Sequence, residues 1–176
     1  MHTAIAVLLV LAITSACSAP PEEDAATAAG KPRPVSGRVD TGTGISIDFP
    51  AGWAEMSTAG RTYTKFYESK EEQLSMGLND FAVRDESLWT LGEQVKRRLG
   101  NNGVIQESGP TTVDGRDGYR VVSRLKTETG EGLIIGTVVL RAPDRASTVF
   151  VFSTHDERPG NREKMEQILA TLEVTS

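Results

Sequence analysis

Cysteine occurs once in the chain, at Cys17, and histidine only at His2 and His155. One cysteine excludes an internal disulfide, and so sparse a set of thiols and imidazoles excludes a multi-histidine metal centre and the HExxH and facial-triad patterns. Basic residues are also in deficit. The chain has 19 Lys and Arg against 24 Asp and Glu, a formal net charge of −5, which argues against a nucleic-acid partner because phosphate neutralisation needs clustered cations. No apolar run is long enough to cross a bilayer. Residues 4–13 (AIAVLLVLAI) are wholly apolar, well short of the roughly 18 residues a spanning helix needs. Phosphate-binding and nucleophile motifs are missing too: there is no Gly-Lys-Ser/Thr loop and no G-x-S-x-G elbow.

What is present is a leader, a spacer and a domain. The short apolar run followed by small residues is the core of an export signal, which targets without anchoring. Its n-region, Met1-His2-Thr3, carries no Lys or Arg. Residues 18–44 contain Ala, Pro, Glu, Thr and Gly with almost no large apolar side chain, a composition that cannot bury enough surface to fold. As a flexible chain such a segment reaches on the order of 30 Å. The sequence therefore divides into a signal peptide (1–16), a flexible linker (17–44) and one folded domain (45–176).

Cys17 stands where the apolar run gives way to the spacer, and the segment Thr14-Ser15-Ala16-Cys17 resembles a bacterial lipoprotein signal. Ser15 and Ala16 fit the small residues of that pattern; Thr14 departs from its aliphatic preference. The resemblance implies acylation of the Cys17 thiol, and acyl chains contribute about 0.8 kcal/mol per buried CH₂ to holding a soluble domain at a bilayer. The other reading is ordinary cleavage after Ala16 or Ala19. Ser18 in place of Asp after the cysteine favours the periplasmic face of the outer membrane; without acylation the protein is periplasmic or secreted.

From Ile45 the hydrophobic period is two: Ile45, Ile47 and Phe49 alternate with Ser46 and Asp48, and Pro50-Ala51-Gly52 reads as the end of the strand. Residues 61–68 and 73–83 predict a hairpin. In the second segment Leu74, Met76 and Leu78 share one parity and Phe81 and Val83 the other, which predicts a bulge near Asn79-Asp80. Asp85 or Ser87 caps a helix carrying Leu88, Leu91, Val95 and Leu99 on one stripe, ended by Gly100. After a short run at 104–107, strands are expected over 119–127, 133–141 and 148–154, the last two apolar on both parities as in strands covered on both faces. A closing helix over 161–172 buries Met165, Ile168, Leu169 and Leu172. The class is α+β: an α/β/α sandwich around a mostly antiparallel sheet with two main helices.

The opening Ile45-Ser46-Ile47-Asp48-Phe49-Pro50-Ala51-Gly52-Trp53, the helix after the third strand, the turn Val113-Asp114-Gly115-Arg116-Asp117-Gly118-Tyr119 and the final helix together resemble the PsbP-like superfold, which includes bacterial DcrB-like lipoproteins. The resemblance spans about residues 45–174. It implies an α/β/α sandwich whose members act as binding or assembly factors, and it transfers no catalytic residue.

His155-Asp156-Glu157 reads as a solvated turn, and Asp114-Gly115-Arg116-Asp117-Gly118 as a tight turn, since Arg116 occupies a position where a calcium loop needs an oxygen ligand. No catalytic residue, metal or cofactor is expected. Arg120, Arg124 and Lys126 share a parity opposite Tyr119, Val121 and Leu125; they form a basic stripe that either meets an acidic partner or anionic headgroup, or is a solvated sheet face. Trp53 and Trp89 either line a pocket or pack in the core, and core packing is the role expected of large aromatics. The function expected is a non-enzymatic binding or assembly module, held to the membrane through acylated Cys17 and partnered by another envelope protein. The alternative is a small-molecule binder or carrier, which needs an apolar pocket between sheet and helix.

Overall fold

The structure, a computed structural model, describes residues 31–127, 130–142, 145–153 and 160–175. The leader, Cys17 and His155-Asp156-Glu157 lie outside the described residues. Strands β1 (Arg33–Asp40), β2 (Ile45–Met56), β3 (Lys65–Ser69) and β4 (Leu74–Ala82) precede helix α1 (Leu88–Gly100). Then come β5 (Gly103–Val113), β6 (Arg116–Thr127), β7 (Gly130–Ala142), β8 (Arg145–Ser153), helix α2 (Asn161–Leu169) and the short β9 (Glu173–Val174). The strands form one sheet in the order β1-β2-β3-β4-β8-β7-β6-β5, with β9 also on β2. Every pairing is antiparallel.

Successive side chains of a strand point to opposite faces, and each face carries its own core. Val122, Ile135, Val139, Val149 and Val151 pack with Met165, Ile168 and Leu169 of α2 on one side. Val121, Val138, Ala146 and Tyr119 pack with Leu91 and Leu99 of α1 on the other. The two apolar parities of the central strands thus serve two helices, giving the α/β/α sandwich expected from the sequence. α1 starts at Ser87, whose Oγ accepts from Thr90 N at 3.1 Å, and ends with Arg97 and Arg98 against the negative end of its dipole. Asp114 and Gly115, both at positive φ, close the β5–β6 hairpin as a two-residue type I′ turn.

Three expectations are corrected. The linker does not extend to residue 44: Arg33–Asp40 pair with β2 from Arg33↔Glu55 to Asp40↔Ser46. Its polar composition misleads because an edge strand needs only ladder hydrogen bonds and a few inward side chains, here Val35 and Val39, while Pro34 and its charges suit an exposed edge. Nor does Pro50-Ala51-Gly52 end β2, which continues to Met56 across an irregularity opposite Val35 and Gly37. The bulge near Asn79-Asp80 is absent as well. β4 holds one register with β8 from Leu74↔Ser153 to Ala82↔Arg145, and the change of parity marks where the chain passes from one core to the other, Leu78 serving α2's side and Val83 α1's.

Candidate functional site

α1 is 13 residues long, about 20 Å, and lies over β5, β6 and β7. The remaining strands of the order, β8 and β4 next to β7, lie beside the helix and not under its centre. There, strand alternation presents Asn79 and Phe81 from β4 and Thr148 and Phe150 from β8. Leu91, Gln94, Val95 and Arg98 of α1 form one wall, Thr62 and Thr64 the other, and together they enclose a groove of about 460 Å³. A volume of that order suits a small ligand or an inserted side chain.

The second wall is held in place by aromatic contacts and hydrogen bonds. Tyr63 stacks on Phe66 with ring centroids 5.5 Å apart and reaches Phe152 at 6.3 Å, its ring lying over Gly77. Thr64 N donates to Leu78 O at 2.8 Å, and Asp80 N donates to Thr64 Oγ1 at 3.3 Å. The Arg61 guanidinium sits 3.8 Å from the Phe66 ring centroid, a cation–π contact. Phe81 remains 36% exposed on the groove floor. Two charged residues, Asp80 and Arg98, line the groove, and Asp80 pairs with Arg145.

Trp53 is buried in the core of α2's face, 5.3 Å from Phe49 by ring centroids, as expected. Trp89 is not a core residue. It is 56% exposed and stands edge-on against Tyr119 at 5.4 Å, because it falls beside the Leu88, Leu91, Val95 and Leu99 stripe and not on it. Tyr119 in turn donates to Glu93. Burial, then the neighbouring carboxylate, pushes the Tyr119 phenol up, while the phenol's hydrogen bond holds the Glu93 carboxyl below its ordinary range.

Of the basic stripe, Arg120 lies on the face covered by α2 and makes a two-point ion pair with Glu166, one leg being Nη1 to Oε2 at 2.7 Å. Arg124 shares that parity in β6 and is half-buried. Lys126 belongs to the same strand, and its side chain lies outside the described residues. The structure therefore couples Arg120 to a helix inside the fold and brings neither tryptophan to the stripe. The groove residues Phe81, Gln94 and Arg98 were not singled out from sequence; the parity switch at Phe81 was the available signal. Among the described residues no group of three or more His, Cys, Asp or Glu is placed to hold a metal, and no helix is long and apolar enough to cross a membrane.

This open antiparallel sheet with one helix on each face has a PsbP-like fold, as comparison with solved structures shows. The chain superimposes on cyanobacterial PsbP (CyanoP) from Synechocystis sp. PCC 6803 with a TM-score of 0.58 and 12% identity over 84% of this chain and 93% of that one. It is similar to LpqN, a protein involved in cell envelope biogenesis of Mycobacterium tuberculosis, with a TM-score of 0.59 and 10% identity over 83% and 91% of the two chains. A third structure, from Bacteroides thetaiotaomicron, aligns with a TM-score of 0.54 and 13% identity over 81% of this chain and 50% of that one. The likeness is one of fold and does not single out the DcrB-like lipoproteins. No family model and no curated protein sequence matches the chain.

Proposed function

We propose that the protein is an exported, lipid-anchored envelope module that works by binding, without catalysing a reaction, and that it receives its partner in the groove between α1 and the β4–β8 half of the sheet. The observation carrying this reading is the groove itself, a recess with an aromatic floor and polar walls whose Phe81 is left in contact with solvent. The leader and Cys17 support the location, as does the fold shared with an envelope-biogenesis protein. A small-molecule ligand is the second reading, favoured by a volume near 460 Å³.

The test is site-specific photo-crosslinking in intact cells, with the photoreactive residue at position 81 and, as control, at Val104, which is 69% exposed on the edge strand β5. A partner captured from position 81 and not from 104, and lost when Cys17→Ser releases the protein from the membrane fraction, is the expected result. Equal capture at both positions, or membrane fractionation indifferent to Cys17→Ser, overturns the reading. Ligand-induced thermal stabilisation abolished by Phe81→Ala selects the small-molecule form.

A further inference from the structure

A second recess lies on the other side of the 57–64 segment, and its chemistry is different. It is about 370 Å³ and is lined by Lys31, Arg33, Lys65 and Glu55 together with the hydroxyl residues Ser57 and Thr58. Three cations face one carboxylate. Lys65 Nζ lies 2.8 Å from Glu55 Oε1, and Arg33 pairs with Oε2 of the same group. Glu55 is largely buried, with its side chain 16% exposed, while those of Arg33 and Lys65 are 70% and 35% exposed. The carboxylate thus orients two cations from behind without neutralising both, and their outer N–H groups face solvent. Lys31 adds a third charge with no ion-pair partner among the described residues. On a chain of net charge −5 this concentration of positive charge is an exception.

Its position selects the anion. Lys31 is fourteen positions beyond Cys17, so covalent geometry alone keeps it within about 50 Å of an acylated Cys17. We infer that this recess binds the phosphate of an anionic phospholipid headgroup and docks the folded domain against the membrane at the root of its own tether. The inference rests on the proposed lipid anchor, which keeps the recess within reach of the headgroups. Arg33 and Lys65 supply charge-assisted hydrogen bonds, Ser57 and Thr58 supply hydroxyl donors, and Lys31 supplies the long-range attraction. Contact is required, since at physiological ionic strength a surface charge is screened over about 8 Å.

The test uses the full chain carrying Cys17→Ser, so that no acyl group contributes, in flotation assays at low ionic strength. One set of vesicles is phosphatidylcholine alone and the other includes a quarter phosphatidylglycerol. Any contribution of the apolar leader is common to both sets, so the difference between them reports the recess. The expected result is about tenfold tighter binding to the anionic vesicles, abolished by Lys31→Gln with Lys65→Gln, retained by Lys31→Arg with Lys65→Arg, and weakened by salt. A uniformly acidic protein would instead favour the neutral vesicles. No anionic preference, or a preference that survives the glutamine variants, overturns the inference. Inorganic phosphate perturbing amide resonances around Lys65 in the absence of any vesicle preference also overturns it, since the site would then serve a free anion. Failure here leaves the anchor standing, because the anchor's own test is the fractionation of wild type against Cys17→Ser.

Discussion

Tyr119 lies across Gly92, its ring so close to the helix backbone that a β-carbon built on the glycine would come within 2.1 Å of it. The tyrosine is 2% exposed and fixed between α1 and the sheet, so it has little room to yield. Gly92→Ala therefore sets two effects against each other: a gain of about 1 kcal/mol in helix propensity and an overpacking cost of about 1–3 kcal/mol. The expected outcome is a net loss of up to about 2 kcal/mol, read from the urea midpoint at constant m-value. A stabilised Gly92→Ala variant would show that α1 can lift off the sheet at this point.

Arg120 and Glu166 join β6 to α2 through a partly buried two-point pair, with side chains 24% and 36% exposed. Arg162 approaches the same carboxylate only at 3.9 Å and is itself more exposed. A double-mutant cycle between Arg120→Ala and Glu166→Ala is expected to give a coupling of about 1–2 kcal/mol, above the typical surface pair. The Arg162–Glu166 cycle should give less than about 0.5 kcal/mol. Equal couplings would place Arg120 in solvent. Substitutions at Arg120 must accordingly be read for stability before they are read for partner binding.

Glu55 gives the fold a pH dependence of definite sign. Burial acts to raise its pKa, but the hydrogen bonds and charges of Lys65 and Arg33 together outweigh burial and hold the carboxyl below its ordinary value of 4.5. A group depressed in the folded state contributes stability that is full above its unfolded pKa and lost as pH falls through the folded one. The stability difference between wild type and Glu55→Gln is therefore expected to be constant near neutrality and to shrink as pH drops below 4.5. Denaturant melts across the acid range check this. A difference that grows on acidification contradicts the assignment.

The parts legible in the sequence were those in which local pattern and tertiary environment agree. Alternation at Ile45, Ile47 and Phe49, the Ser87 cap before the Leu88, Leu91, Val95 and Leu99 stripe, and the Asp114-Gly115 dipeptide each specify an element by local rules. β1 was illegible because an edge strand draws its stability from its neighbour's backbone and its own side chains record little of it. Trp89 is exposed because helical phase decides burial here more than side-chain size does, and its position is off the apolar stripe. The pairing of Arg120 with Glu166 joins residues 46 positions apart, and no local pattern encodes it. The groove was hidden for a geometric reason, since its walls come from α1 and the 62–64 segment, about thirty residues apart in sequence.

The pairing of β1 gives the proposed N-terminal anchor a mechanical consequence. Tension on the N-terminal segment enters at Arg33, and the three pairs from Arg33↔Glu55 to Val35↔Trp53 are separated from the rest of β1 by the irregularity before Gly37. Beyond it, Arg38 is fastened to Thr171 O at 2.6 Å and to Glu173, which ties the strand to the C-terminal end of the chain. Under load the first three pairs form a fuse: they can peel away and pay out about 10 Å of extra chain at roughly 3.3 Å per residue. Val35 leaves its place against the core with them, and the Arg38 clamp then takes the strain while Val39 stays packed.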